Sequence, residues 1–189
     1  MASDIPSGDW PVRYLPVTVG GDLTLIREPG LLAFVGPICA YPVGFLFYLT
    51  ISVDPQALDP APPEGPPRYL VNFSARTPDE RASAASIGIG FSDGRTAGSG
   101  DGMAGRLTPP DIRLNYSGEI SPLRSNAPRL TVESCWWVSP LPPEGPVHFA
   151  VTLPGLPGGA GIAALDASLI TAAASQSSPL WPDAPSGKP

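Results

Sequence analysis

The sequence predicts an all-β protein: an antiparallel β-sandwich, jelly-roll or immunoglobulin-like, of about seven to nine strands with a short C-terminal α-helix. Three observations carry that reading. Segment 43–53 alternates Phe45, Phe47, Leu49 and Ile51 with Leu46, Tyr48, Thr50 and Ser52, the period of two that a strand imposes on its two faces. The string Pro62-Pro63-Glu64-Gly65-Pro66 returns eighty positions later as Pro142-Pro143-Glu144-Gly145-Pro146, each copy lying between strand-like segments. The chain holds 27 Pro and 21 Gly, about a quarter of its 189 residues, yet 46 are Leu, Ile, Val or Phe. That apolar share exceeds the roughly 20% below which chains fail to bury a core.

The repeated string has two readings. A duplicated half of the protein is one; two hairpins capped by similar loops is the other, because Pro fixes φ near −65° and Gly supplies the positive φ of tight reversals. Both give antiparallel sheet.

The elements follow in order. Strands are expected over 12–19 and 23–27, joined by the Gly20-Gly21 dipeptide that suits a hairpin. Next come 31–38 and 43–53. In the latter the Phe45 face is expected to enter the core, and the opposite face passes from apolar to polar, as in a central strand covered on both sides. Loop 54–67 contains six prolines and is too poor in amide donors to join a sheet. Extended structure resumes over 68–75. Segment 77–84 fits one helical turn, with Thr77 as N-cap, Pro78 at the first helical position and Glu80 completing a capping box. A strand over 86–91 ends at the Asp93-Gly94 turn signal.

The Gly-rich run 95–110 reads as a mobile loop or a plain connector. Strands return over 111–116, 130–138 and 147–153. After a Gly/Pro-rich turn over 154–161, Asp166 is placed to N-cap a helix over 167–177 that stops before Pro179. Leu169, Ile170 and Ala173 would dock it onto a sheet, and Leu180-Trp181-Pro182 reads as an apolar anchor. The expected organisation is therefore a flexible N-terminus over 1–9, a single sandwich domain over 10–182 and a flexible tail over 183–189. A chain of this length buries roughly two-thirds of its unfolded surface as one domain and is short for two.

Charge and composition narrow the function. Net charge is −6 with a pI near 4.6, and the ten Arg and one Lys form no cluster of the kind phosphate backbones attract, so nucleic acid is not an expected partner. The most apolar stretch, 31–53, is interrupted by Gly36, Pro37, Pro42 and Gly44, so no membrane insertion is expected. The first nine residues carry Asp4 and Asp9 and no basic segment before an apolar run, so no secretory leader is read and a cytoplasmic location is expected. The patterns at Asn72 and Asn115 match glycosylation acceptors, which need a secretory route, and receive no function.

No motif identifies a reaction. Walker A, dinucleotide, His-Glu-x-x-His and paired-Cys patterns are missing from the sequence, so neither a cofactor nor a metal site is expected. Cys39 and Cys135 lack ligand spacing and read as buried free thiols behaving as small hydrophobes. His148 is the only histidine and sits between Val147 and Phe149 without a nucleophile motif. No catalytic residue is assigned, although two acids placed by a fold leave little trace; Glu119 and Glu133 are the acids nearest strands.

The binding candidates are Trp136, Trp137, Pro142, Pro143, Glu144, Trp10 and Tyr48. Adjacent residues of a strand point to opposite faces, so Trp136 and Trp137 cannot share one core. The helix or Leu180-Trp181 would cover the second ring, or it stays outward and, with Trp10 or Tyr48, forms a platform for a sugar, peptide or protein. Pro142-Pro143, like 60–67, also fits a polyproline II ligand of an aromatic groove.

The segment Trp136-Trp137-Val138-Ser139-Pro140-Leu141-Pro142-Pro143-Glu144-Gly145-Pro146, with the later Leu180-Trp181-Pro182, resembles a group of uncharacterised proteins from high-GC actinobacteria. In that group a Trp-x-(Trp or Ser)-Pro-Leu-Pro-Pro-x-Gly-Pro segment precedes a strand, an Asp-led Ala-rich helix and a final Leu-Trp-Pro. The resemblance covers the C-terminal third well and the rest loosely, and Ser139 stands where an aromatic is frequent. It implies no activity and no site residue. The function expected from the sequence is a non-enzymatic binding or assembly protein of the cytoplasm, with a protein partner or a second copy of itself. A carbohydrate-binding module and a carboxylate-based hydrolase are the alternatives.

Overall fold

The structure, a computed structural model, describes residues 13–54, 84–99, 112–120 and 130–181. Strands β1 (Tyr14–Leu15) and β2 (Val17–Val19) are separated by Pro16, which has no amide donor to continue a ladder. Strands β3 (Leu23–Glu28) and β4 (Leu31–Tyr41) form a hairpin closed by Pro29-Gly30, with Glu28 opposite Leu31. Pro presets the first turn residue and Gly30 takes φ 75° at the second. Strand β5 (Gly44–Val53) returns along β4 through the two-residue turn Pro42-Val43.

The hairpin expected at Gly20-Gly21 does not form. Strands β2 and β3 both pair antiparallel with β4, β2 against residues 38–40 and β3 against residues 31–35. They lie end to end along one edge of β4, so the two glycines bridge consecutive stretches of one edge and reverse nothing. Strand β4 is long enough to serve both, running three residues past its expected end.

Strands β6 (Ser86–Gly90) and β7 (Thr96–Gly98) make the hairpin announced by Asp93-Gly94, closed by Phe91 N–H donating to Arg95 carbonyl at 2.9 Å. Strands β8 (Arg113–Ile120) and β9 (Leu130–Ser139) pair antiparallel. Strand β10 (Pro146–Thr152) follows, then β11 (Ala160–Asp166), which the sequence reading missed. Helix α1 (Ala167–Ser175) is shorter than expected by two residues, and β12 (Ser178–Pro179) ends the described chain by pairing with β1.

These strands build two main antiparallel sheets beside the two-stranded β1–β12 ribbon. One runs β2-β4-β5-β9-β8 with β3 also on β4, and the other runs β11-β10-β6-β7. The all-β, sandwich-like fold is thus the observed one, with one short helix among the described residues. Twelve strands stand among the described residues, because the first expected strand divides at Pro16 and because β7, β11 and β12 join. Sequence readings at Trp10, loop 55–67, segments 68–75 and 77–83, the Gly-rich run 100–110, and the ends 1–9 and 183–189 lie outside the described residues. The first Pro-Pro-Glu-Gly-Pro copy does too, so the two copies cannot be overlaid.

The core lies between the sheets. Phe45, Phe47, Leu49 and Ile51 of β5 are buried, as their alternation predicts, and meet Ile87 and Ile89 of β6 and Val147, Phe149 and Val151 of β10 in one cluster. Phe149 stands edge-on to Phe47 with ring centroids 5.2 Å apart, the arrangement that pairs a positive ring edge with a negative face. Each such side chain contributes about 1.5–3 kcal/mol by leaving water. The other face of β5 is largely covered as well, with Leu46 and Thr50 buried, which places β5 at the centre of its sheet, between β4 and β9.

Helix α1 packs on β4 and β2 and buries Ala167, Ile170, Ala173 and Ala174. Ile170 and Ala173 dock as predicted, whereas Leu169 is 49% exposed: the turn from Asp166 rotates the small-residue side inward. Small residues are what a helix needs to approach a sheet closely.

Strand β11 read as a turn because its Ala and Gly carry little strand propensity, but its full register with β10, from Pro146 opposite Asp166 to Thr152 opposite Ala160, makes it a strand. It also approaches β3. A Cβ on Gly161 would collide with the Leu25 carbonyl oxygen and lie 2.7 Å from Ile26 Cγ1, so glycine permits this contact between the sheets. Gly161→Ala should therefore lower unfolding stability by about 1–3 kcal/mol, the cost of overpacking a filled site. Ala163→Gly is the control strand substitution, and denaturant midpoints of the two variants check the difference.

Candidate functional site

The two tryptophans occupy opposite faces of β9, as adjacent strand residues must. Trp136 lies opposite Phe47 and Trp137 opposite Leu46. Trp136 is 2% exposed and belongs to the main core. Its indole N–H donates to Ser134 Oγ at 2.8 Å, and the Ser134 hydroxyl donates to the Leu49 carbonyl at 3.4 Å. Ser134 is itself buried, so the one polar atom Trp136 brings into the core is satisfied there, which avoids a desolvation cost of about 1–3 kcal/mol.

Trp137 faces the outside of the larger sheet, yet is only 1% exposed. It forms a second cluster with Leu46 and Cys135, against which the half-buried Cys39, Tyr41 and Tyr48 pack. The Tyr41 ring meets it edge-on, with centroids 5.6 Å apart and planes at 70°. Gly44 is required beside it, since a Cβ there would strike the Val138 carbonyl and sit 2.8 Å from the indole. Neither expected cover is the one found. The buried residues of α1 join the main core on the Trp136 side, and Trp181 is 73% exposed. An outward tryptophan platform is absent at this pair because both rings are buried.

Tyr48, the other described member of the expected platform, sits at the margin of that second cluster. Burial pushes the Tyr41 hydroxyl above its ordinary range, with the thiols of Cys39 and Cys135 adding to the effect. Burial does the same at Tyr48, followed by the charge and hydrogen bond of Cys135. Both phenols stay neutral at physiological pH. Cys39 and Cys135 form no disulfide, Cys135 being buried and Cys39 half-buried, in keeping with the buried-thiol reading. Cys39 pairs with Leu46 and Cys135 with Tyr48, so β5 separates them. Two strand spacings amount to about 9–10 Å, beyond the roughly 7 Å limit between Cα atoms for a disulfide.

Pro142, Pro143 and Glu144 occupy a junction. Pro142 is buried, Pro143 half-buried and Glu144 exposed. The Glu144 carbonyl accepts from Ser92 Oγ at 2.5 Å, and the Gly145 carbonyl accepts from the Ala167 N–H at 2.9 Å. The segment therefore ties the β6–β7 hairpin to the start of α1 through its backbone. Gly145, at φ 110°, holds that path, with room for a Cβ denied by Ser92 Cβ at 2.8 Å. On the hairpin side, Arg95 Nε donates to Asp93 at 2.7 Å and its guanidinium lies 5.3 Å from the Phe91 ring centre.

The remaining candidates lie apart. His148 is exposed on β10, between Gly90 and Ala164. Glu133 is half-buried and opposite Thr50, while the Cα of Glu119 pairs with Ser134, one position out of step. Among the described residues, no group of three or more His, Cys, Asp and Glu is placed to hold a metal, and no helix is long and apolar enough to cross a membrane.

Two features that the sequence reading did not single out share the end of the molecule near β12. The first is the two-stranded ribbon of β1 and β12, where Tyr14 pairs with Pro179 and Leu15 with Ser178. The Leu180 N–H extends it by donating to the Arg13 carbonyl at 2.7 Å. Tyr14 is 37%, Leu15 51% and Trp181 73% exposed. Tyr14 and Leu15 point to opposite faces of the ribbon, so each face carries an exposed apolar side chain. The expected anchor is thus held by the Leu180 backbone, with the Leu180 side chain half-buried and the Trp181 indole largely in solvent. The second feature is a hollow of about 320 Å³ lined by Pro42, Leu141, Thr171, Ala174, Ser175 and Ser177. Its hydroxyls donate inward, Ser175 to Ala172 at 2.7 Å and Ser177 to Ala174 at 2.7 Å, which leaves an apolar floor with satisfied edges.

No protein-family model, no curated protein and no solved structure matches this chain.

The helix that forms one wall of the hollow starts from Asp166, whose carboxylate accepts the Ser168 N–H at 2.8 Å and is held below its usual range by that bond. A depressed carboxyl stabilises the fold above its unfolded value, about pH 3.9, and loses that contribution as pH falls through the lower folded value. Asp166→Asn should keep the cap and flatten this acid dependence, whereas Asp166→Ala should lower the melting temperature at pH 7. Thermal melts from pH 2 to 7 check both.

Proposed function

We propose that this chain is a non-enzymatic binding or assembly protein of the cytoplasm that engages a protein partner through its terminal ribbon. The observation that carries the reading is the exposure of Tyr14, Leu15 and Trp181 on and beside a two-stranded ribbon that, among the described residues, joins neither larger sheet. Such side chains are costly in water, and aromatic residues dominate the energetics of protein interfaces. A two-stranded ribbon is marginal by itself, so docking onto a partner supplies the missing packing. The absence of a basic cluster in a chain of net charge −6 turns this surface toward proteins and away from nucleic acid. The buried tryptophans and the Pro142–Glu144 junction hold the body that presents it.

A photoreactive benzoylphenylalanine in place of Leu15 tests this reading in the native cell. A discrete protein adduct from position 15, missing when the probe replaces the exposed Thr152, is the expected result. No adduct from position 15, or equal adducts from both positions, would refute it.

A further inference from the structure

We infer that the partner is a second copy of this chain, and that each copy seats its Trp181 in the other's hollow between the β4–β5 turn and helix α1. The inference rests on the binding reading above and names its partner. Its basis is a knob and a hole on one surface. The hollow is walled by Ser175 and Ser177 at the end of α1, and Trp181 follows Ser177 by four residues, within about 14 Å of chain. Trp181 does not fill its own hollow: the Leu180 N–H bond to the Arg13 carbonyl holds the segment on the ribbon, and the indole stays 73% exposed. A two-fold interface needs one patch to carry both halves of each contact, so that residue i meets j and j meets i. This patch does.

The chemistry of the patch fits a copy of itself. Two chains of net charge −6 repel unless they meet where neither carries negative charge. The hollow is lined by Pro42, Leu141, Thr171, Ala174, Ser175 and Ser177, none of them charged, and the described charge on the ribbon is the cation Arg13. A volume of about 320 Å³ is at the small end of the roughly 300–1,000 Å³ of small-molecule pockets, which is room for a single indole ring. Val43, next to Pro42, adds a 52% exposed apolar side chain beside it, and the hydroxyls of Ser175 and Ser177 already donate to their own helix, so an apolar ring strands no donor there.

Sedimentation equilibrium of the purified full chain tests the inference. Wild type should be a dimer, twice 19.6 kDa. Trp181→Ser removes the knob and Ser175→Arg obstructs the hole; both positions are exposed, so both variants should fold, as circular dichroism will show. Each alone should weaken dimerisation by about 30-fold or more, the loss expected of a central tryptophan. Mixing the two variants should restore a heterodimer, because one intact knob then meets one intact hole. A monomeric wild type, a dimer indifferent to both substitutions, or variants that fail to complement each other would overturn the inference. A monomer that still gives a discrete adduct to another protein from position 15 would do so while leaving the binding reading in place.

Discussion

The register between β5 and β9 is the constraint on which the rest depends. Nine consecutive pairs, Phe45 opposite Val138 through Val53 opposite Leu130, run without a shift. A slip of one residue would exchange every side chain between faces. Phe45, Phe47 and Leu49 would leave the core, and the Ser134 hydroxyl that accepts from the Trp136 indole would lose the Leu49 carbonyl. Trp137 would be driven between the sheets, where Gly44 could no longer make room for it. Irregularities are instead confined to the pairings around this one: β3–β4 shifts near Leu25, β4–β5 after Val35, and β8–β9 near Ser117. The outer strands bend by bulges while the central pair stays regular.

From that pair the two sheets are joined by a small number of close approaches. Phe149 reaches across to Phe45 and Phe47, Gly161 brings β11 against β3, and the Glu144-Gly145 carbonyls bind a hairpin of one sheet to the helix lying on the other. The role of Pro142 and Pro143 follows from this. Two prolines narrow the conformations available to a segment that must deliver two carbonyls in fixed directions, and this lowers the entropy lost on ordering it.

What the sequence revealed, and what it hid, divides along the same physical line. Alternation over 43–53 identified the core face of β5 residue by residue, because a period of two survives any tertiary arrangement. The Asp93-Gly94 turn and the Asp166 cap were legible because both are local chemistry. Strand β11 was hidden: Ala160 to Ala164 favour a strand only when β10 supplies a ladder, and that partner is a tertiary fact. Gly20-Gly21 misled for the converse reason, since a flexible dipeptide can continue an edge as readily as reverse it. The Trp pair announced opposite faces but could not say that a second cluster would bury the outer ring. The candidate surface was least legible, for Tyr14 and Leu15 were read as part of one long strand until Pro16 divided it and β12 drew the fragment away from the main sheets.

That division places the proposed binding surface on the β1–β12 ribbon. The five rings of the main core, Phe45, Phe47, Phe91, Trp136 and Phe149, are buried between the sheets, and Trp137 is buried in the outer cluster. Trp181 stays exposed where Leu180 is hydrogen-bonded to Arg13, beside a strand that among the described residues pairs only with β12. The backbone contact fixes where the indole is held but offers it nothing to pack against. A segment of low intrinsic stability that presents a rigid aromatic group gains order and burial in the same step when it docks, so the ribbon's weakness as a free element and its suitability as an interface have one cause.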